Sequence, residues 1–381
     1  MKKLLFMLSA LALLAACGDE DGQEPPTELV DIESTLTIRS EWSQSLGGKG
    51  EHLRLALRPE LVDGVLYAGA QNGEVIAVNA ETGKRLWRTN TELSLSAGPG
   101  VGDGVVILGS SDGDIVALDA ATGVERWRHL VSSEVLARPL VTEGMAIVRT
   151  VDGRLQALSL TDASQRWVVQ EAVPALSLRG TAPAVRAGDA ILAGFDNGKI
   201  LAVDIKGGET LWDTTVSPPQ GRTELDRLVD LDSAVKAAGD DVFVVGFQGR
   251  AAMLARESGQ IWWAKEISSY RGFGMDEENL YITNASGGIL AIRRRDGNSV
   301  WEQLLALRLR GLTAPEVDGD ALVVGDFEGF LHWLDKRTGT IIARVKTGGD
   351  RITNAPLAAG GRVFVQTDGG RLLAYRAEPK G

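Results

Sequence analysis

The apolar positions of the chain fall in short runs of four or five, separated by turn residues, and one phrase recurs along the length. Its fullest copies are Asp63 to Trp87 and Asp103 to Trp127. Each opens with a Gly-containing dipeptide and a run such as Val65-Leu66-Tyr67-Ala68-Gly69 or Val105-Val106-Ile107-Leu108-Gly109. Asn72-Gly73 or Asp112-Gly113 comes next; both turn residues there need positive φ, which makes such pairs strong hairpin signals. A strand with apolar residues at its centre follows, Val75-Ile76-Ala77-Val78 or Ile115-Val116-Ala117-Leu118, then Thr82-Gly83 or Thr122-Gly123 and a last strand ending in Trp. Three strands and two tight turns in about 25 residues leave room for a fourth strand, so the pattern predicts a four-stranded antiparallel meander.

Further copies run Gly153 to Trp167, Asn197 to Trp212, Gly249 to Trp263, Gly287 to Trp301 and Gly329 to Ala343. An eighth begins at Val363-Phe364-Val365 and reaches Tyr375 without its Trp, whereas Trp42 stands near the other end with no strands of its own before it. A closed ring accounts for both ends. The expected fold is all-β: an eight-bladed β-propeller over residues 38–381, with the N-terminal strand around Trp42 completing the last blade. Closure removes the apolar end faces and protects the sheet edges of an open array. Each repeat Trp is expected between neighbouring blades, where its ring buries a large area against small Ala and Gly residues. Ala343 breaks that pattern, and Trp333, in place of the usual mid-strand Ala, is the expected filler.

Length alone, 381 residues, suggests two or three domains; the repeat replaces that expectation with one large domain. The formal net charge of −11 argues against nucleic acid and against adhesion to anionic lipid through basic patches. The start of the chain carries a separate message. Lys2-Lys3 and the apolar stretch Leu4 to Leu14, too short to span a bilayer, precede Leu14-Ala15-Ala16-Cys17. That tetrapeptide matches the lipobox of bacterial lipoproteins, and Cys17 is the single cysteine of the chain. Residues 1–16 are therefore expected to be a cleaved signal peptide and Cys17 the lipid-modified first residue. Gly18, where an Asp would signal retention in enteric bacteria, points to the outer membrane and a periplasm-facing protein. Residues 17–37, acidic and rich in Pro and Gly, are expected to be a flexible tether.

Candidate chemistry is sparse. His52, His129 and His332 fall in different repeats without ligand-like spacing, and each reads as a surface or packing residue. No Cys-x-x-Cys, His-Glu-x-x-His or Gly-x-Ser-x-Gly occurs, and Asp230-Leu231-Asp232 lacks the Gly and distal Glu of a calcium loop. No catalytic residue, cofactor or metal is expected. The phrase Ala-x-[Asn/Asp]-x-x-Thr-Gly-x-x-x-Trp resembles the repeat of quinoprotein dehydrogenases, which hold pyrroloquinoline quinone on an eight-bladed propeller. That resemblance implies an oxidoreductase as the alternative. The short loops and the lack of any thiol besides Cys17 count against it, and the phrase serves blade packing with or without a cofactor.

Two inter-blade segments do not belong to the repeat: 173–180, Val-Pro-Ala-Leu-Ser-Leu-Arg-Gly, and 218–232, which lies in the longest Trp-to-Trp step. Long connections carry function more often than the scaffold does. Arg310-Gly311-Leu312-Thr313-Ala314-Pro315 echoes Arg179-Gly180-Thr181-Ala182-Pro183, so Arg179 is in part a repeat residue. The lipobox, the eight repeats, Leu-Ser-Leu-Arg-Gly at 176–180, Thr-Glu-Leu-Asp-Arg-Leu-x-Asp-Leu-Asp at 223–232 and the Gly325 to Trp333 stretch closely resemble the BamB family, lipoprotein propellers of the bacterial outer-membrane β-barrel assembly machinery. The resemblance covers essentially the whole mature chain. It implies a non-enzymatic scaffold that binds the POTRA domains of the central barrel protein, BamA, and assists assembly and insertion of barrel proteins, with unfolded outer-membrane proteins as possible substrates. It assigns partner contact to Leu176, Leu178, Arg179, Asp230 and Asp232, with the leucines as exposed anchors and the charges orienting the docking. Glu224 and Asp226 would support the patch electrostatically without touching the partner.

Overall fold

The computed structural model describes residues 24–47, 55–178, 182–231 and 235–380. Within them the chain forms eight four-stranded antiparallel sheets. Blade one is typical: Glu60–Val62, Val65–Gly69, Glu74–Asn79 and Arg85–Asn90 pair in sequence order. The first strands of successive blades approach one another, which places them innermost around the central channel. In such a meander the second-to-third turn of each blade and the connection to the next blade emerge at one face. The first-to-second and third-to-fourth turns emerge at the other.

The ring closes as the repeat predicts. Leu36–Ser45 pairs antiparallel with Arg371–Pro379, with Ser40 opposite Tyr375 and Trp42 opposite Ala374, and so supplies the fourth strand of blade eight.

Local chemistry explains the third-to-fourth turn. Asn79 Oδ1 accepts hydrogen bonds from the Thr82 N–H and hydroxyl at 2.8 Å, and Asp119 repeats this with Thr122. Arg126 and Thr122 lower the pKa of the half-buried Asp119 carboxyl to about 2. Gly83 then sits at φ +70°, and a Cβ built on it would stand 2.5 Å from the Trp42 ring. Glycine is required there twice over, for the backbone and for the ring. Each repeat Trp covers the turn of the following blade in this way and donates its indole N–H to a carbonyl there. Trp42 reaches Ala80, Trp87 reaches Ala120, Trp127 reaches Leu160, Trp167 reaches Ile205, Trp212 reaches Arg256, Trp263 reaches Arg294 and Trp301 reaches Lys336, at 2.8 to 3.1 Å. In the third blade Ala163 occupies the glycine position at φ +59°.

Blade eight has no third-to-fourth turn, because its fourth strand comes from the other end of the chain. A Trp at position 343 would therefore have nothing to cover. Ala343 instead pairs opposite Trp333, the reverse of the Ala77–Trp87 pairing, and Trp333 is fully buried in the cluster between blades seven and eight. The expected filler is the observed one.

The segment 24–35 differs from the expected tether. It runs along the outer strand of blade seven as a strap. Thr35 N–H donates to Ile342 O at 3.0 Å, Arg344 donates to Val30 O at 3.0 Å, and Arg310 donates to Thr27 O at 3.0 Å. Leu29 packs into the cluster between blades six and seven. Composition suggested disorder, but donors from the far end of the sequence satisfy the strap's carbonyls and its one leucine finds an apolar seat. Residues 1–23, with the signal peptide and Cys17, lie outside the described residues.

Candidate functional site

Both non-repeat segments emerge at the face that carries the inter-blade connections. The first is pinned at its base to the turn of blade four: Asn197 donates to Glu171 Oε2 at 3.1 Å and to Ala172 O at 3.3 Å. Beyond that base the chain projects outward, leaving Leu176 43% exposed and Leu178 half-buried. Arg179 lies outside the described residues.

The second segment has two parts. Residues 218–227 form an exposed lip closed by a reciprocal pair, in which Thr223 N–H donates to Asp226 and Asp226 N–H donates to the Thr223 hydroxyl. Hydrogen bonds to the carboxylate from the Thr223 side chain and then the Thr223 N–H hold Asp226 below its ordinary range. Glu224 is exposed beside it. Residues 228–231 then turn inward as a wedge, with Leu228, Val229 and Leu231 buried. Leu231 N–H reaches Phe195 O at 3.3 Å, and Asp230 pairs through its backbone with Phe247, accepting at 2.7 Å.

The wedge and the first segment thus meet at the same blade-four turn, Phe195 to Gly198, where a Cβ on Gly198 would stand 3.1 Å from Val229. The sequence reading treated Asp230 as an exposed charge. The structure buries it completely, because the flanking apolar residues draw this stretch between blades four and five. Asp232 lies outside the described residues.

Sequence reasoning missed the polar support beneath the first segment. Arg149 and Asp196 form a buried ion pair between blades three and four, with the guanidinium 5.3 Å from the centre of the Phe195 ring. An isolated Arg and Asp 47 positions apart carry no sequence signal that they meet.

His332 is a packing residue, as its isolation suggested. Fully buried, it shares Asp326 at 3.0 Å with Arg310 at 2.8 Å, and Arg344 Nε donates to its Nδ1 at 3.2 Å. Burial pushes His332 down from its usual range. Burial works to raise Asp326, but hydrogen bonds from His332, the Phe330 N–H and Arg310 outweigh it and hold the carboxyl low. His129 is half-buried on an outer strand, and His52 lies outside the described residues.

The central channel is where a propeller of this kind would hold a quinone. Two ion pairs form there, Arg58 with Glu316 at 3.1 Å and Arg138 with Glu60 at 2.7 Å. Burial, outweighing Arg138, pushes Glu60 up and drives Lys236 down, so these groups sit in a poorly solvated space. Among the described residues no group of three or more His, Cys, Asp or Glu side chains gathers where it could hold a metal ion. This donor set does not fit a calcium-bound quinone.

The comparisons with known proteins agree with the repeat and the inter-blade phrases. A family model described as outer membrane protein assembly factor BamB matches residues 71–303 and 306–379. The protein of that name from Pseudomonas aeruginosa is 44% identical over 375 residues, covering 98% of each chain. The crystal structure of BamB from Moraxella catarrhalis superposes with a TM-score of 0.81 at 26% identity, over 89% of this chain and all of that one. Quinohemoprotein alcohol dehydrogenase from Comamonas testosteroni superposes with a TM-score of 0.71 at 15% identity, over 89% of this chain and 76% of that one, a likeness of fold alone. With eight blades of this repeat, a ring closed by its first strand and a family match over most of its length, the chain belongs to the BamB family of outer membrane protein assembly factors.

Proposed function

We propose that the protein is a non-enzymatic scaffold, held to the outer membrane through acylated Cys17 and facing the periplasm, that docks the POTRA domains of BamA and so assists barrel assembly. The observation that carries this reading is the convergence of the two non-repeat segments on the blade-four turn, with Leu176 held out above it. An exposed leucine on a rigid base is a ready anchor for a partner, and the surrounding charges orient the encounter. Leu176 and Leu178 supply the apolar contact, and Arg179 and Asp232 supply the charge. Asp230, being buried, acts as a positioning residue that fixes the wedge beneath them. The engagement of Glu60 and Glu316 by arginines in the channel supports the non-enzymatic part of the reading.

The test is capture of BamA by the lipidated protein. Replacing Leu176, Leu178 and Arg179 together by Ala is expected to weaken capture by about 100-fold or more, since central interface anchors contribute roughly 2 kcal/mol or more. Thermal unfolding should stay unchanged. Undiminished capture would sink the assignment, and recovery of a different envelope protein would make the propeller an adaptor for another complex. Dye-linked alcohol oxidation after reconstitution with quinone and calcium would overturn the non-enzymatic reading.

A further inference from the structure

We propose that the connection between blades six and seven is a membrane-contacting surface, with Leu304, Leu305 and Leu309 seated in the boundary between lipid headgroups and acyl chains. The proposal rests on the reading of Cys17 as the acylated anchor. Glu24 pairs with Arg308 at 2.5 Å, Thr27 N–H donates to Arg308 O at 3.1 Å, and the Thr27 hydroxyl donates to Leu305 O at 3.0 Å. The described chain therefore begins against this loop. Cys17 precedes Glu24 by seven residues (24 − 17 = 7), which even fully extended reach only about 25 Å. An acyl group on Cys17 confines the 304–309 loop to that distance from a bilayer, closer than any blade across the ring.

The loop has the surface chemistry for such a place. Leu304, Leu305 and Leu309 are 41%, 71% and 38% exposed within six residues. Elsewhere the exposed apolar side chains of the outer strands come singly: Leu86, Leu211 and Trp262 each occupy the β-bulge before a repeat Trp. Leu309 also holds φ +60°, a conformation that a branched side chain rarely adopts. Behind it lies an open cavity of about 340 Å³ lined by Pro26, Tyr270, Arg271, Leu309, Phe327 and Arg351. Aromatic rings and guanidinium groups beside exposed leucines are the composition of a water–lipid boundary.

Electrostatic adsorption does not drive this contact, because the chain is acidic and the strap carries Glu24, Glu28, Asp31 and Glu33. The driving force is apolar burial made effective by the anchor, which turns a weak second contact into an intramolecular one.

Cys17 is the single cysteine, and its sulfur is consumed by acylation, so Leu305→Cys introduces one labelling site. The full-length acylated variant, carrying an environment-sensitive fluorophore at 305, is mixed with phosphatidylethanolamine–phosphatidylglycerol vesicles that contain nitroxide-bearing acyl chains. The comparison is the same label at Val124, 64% exposed on the opposite face. The expected result is at least twofold quenching at 305 and none at 124. Vesicle-bound protein with equal, small quenching at both positions overturns the proposal alone. Protein that fails to float with the vesicles overturns the anchor reading, and the proposal with it. A blue-shifted 305 label without vesicles would assign the leucines to a protein contact and would equally overturn it.

Discussion

Seven joints of the ring set a tryptophan from an outer strand against a turn of the next blade, whereas the joint between blades seven and eight exchanges the partners. What differs is the covalent chain: only where a third-to-fourth turn exists can a ring on the fourth strand lie upon it. Blade eight is completed by a strand from the other terminus and has no such turn, so its neighbour carries the ring one strand further in, as Trp333, with Ala343 opposite. The strap then supplies the hydrogen bonds of that edge, with Thr35 N–H and the Ser34 hydroxyl both donating to Ile342 O. The comparison teaches that the tryptophan belongs to the turn it covers and not to the strand that bears it.

The most damaging way to test this is at the exceptional joint. Trp333→Ala is expected to cost about 3–5 kcal/mol, the usual range for truncating a fully buried aromatic side chain, measured by urea denaturation. The double exchange Trp333→Ala with Ala343→Trp restores the pattern of the other blades yet should fail to recover that stability. Recovery to the parent value would show that the ring needs no turn beneath it.

A smaller effect is expected at an ordinary joint. Gly83→Ala forces a methyl against the Trp42 ring and an L residue into positive φ, costs of about 1–3 kcal/mol each. Gly64→Ala shares the positive φ but meets nothing within 4 Å, so the difference between the two variants isolates the ring contact. Equal destabilisation would remove the ring from the explanation.

The smallest effect is a pH dependence at His332, which lies on the face of blade seven turned away from Trp333. Because burial lowers the His332 pKa from 6.5 in the folded chain, the unfolded chain binds more protons just below that pH. The contribution of this group is therefore fully present above about pH 6.5 and fades as the pH falls. Asp326, held low in the fold, keeps its contribution until the medium is more acidic. Going from about pH 7.5 to 5.5 should lower the melting temperature and, relative to the intrinsic exchange rate at each pH, reduce the protection of strap amides near Val30, which Arg344 joins to His332. His332→Gln should flatten both trends. An unchanged pH slope in that variant would place the titrating group elsewhere.

Much of the fold could be read in the sequence because its determinants are local. Asn79 and Asp119 cap turns three residues ahead, and the glycines there are demanded by φ. The lone Trp42 and the unfinished eighth repeat even revealed closure, since each lacked what the other had. The candidate site was only half legible. The positions of the two non-repeat segments stood out as interruptions of the period, but the burial of Asp230 did not, because it depends on an apolar wedge pairing with Phe195 and Phe247 from two different blades. The strap was misread for the same kind of reason: its acidic, proline-bearing composition suggests disorder, and the arginines that hold it lie 283 and 314 positions away.

By itself the sequence determined the repeat unit, the number of blades and the turn chemistry, since each rests on contacts within one period or on side chains that announce their partners by recurrence. Only the tertiary structure decided which polar groups go inside, where the first residues of the folded chain lie and which loop they reach. Those outcomes come from bringing distant segments together, where desolvation and hydrogen-bond matching decide the fate of each charge and neither can be read from a residue's neighbours in sequence.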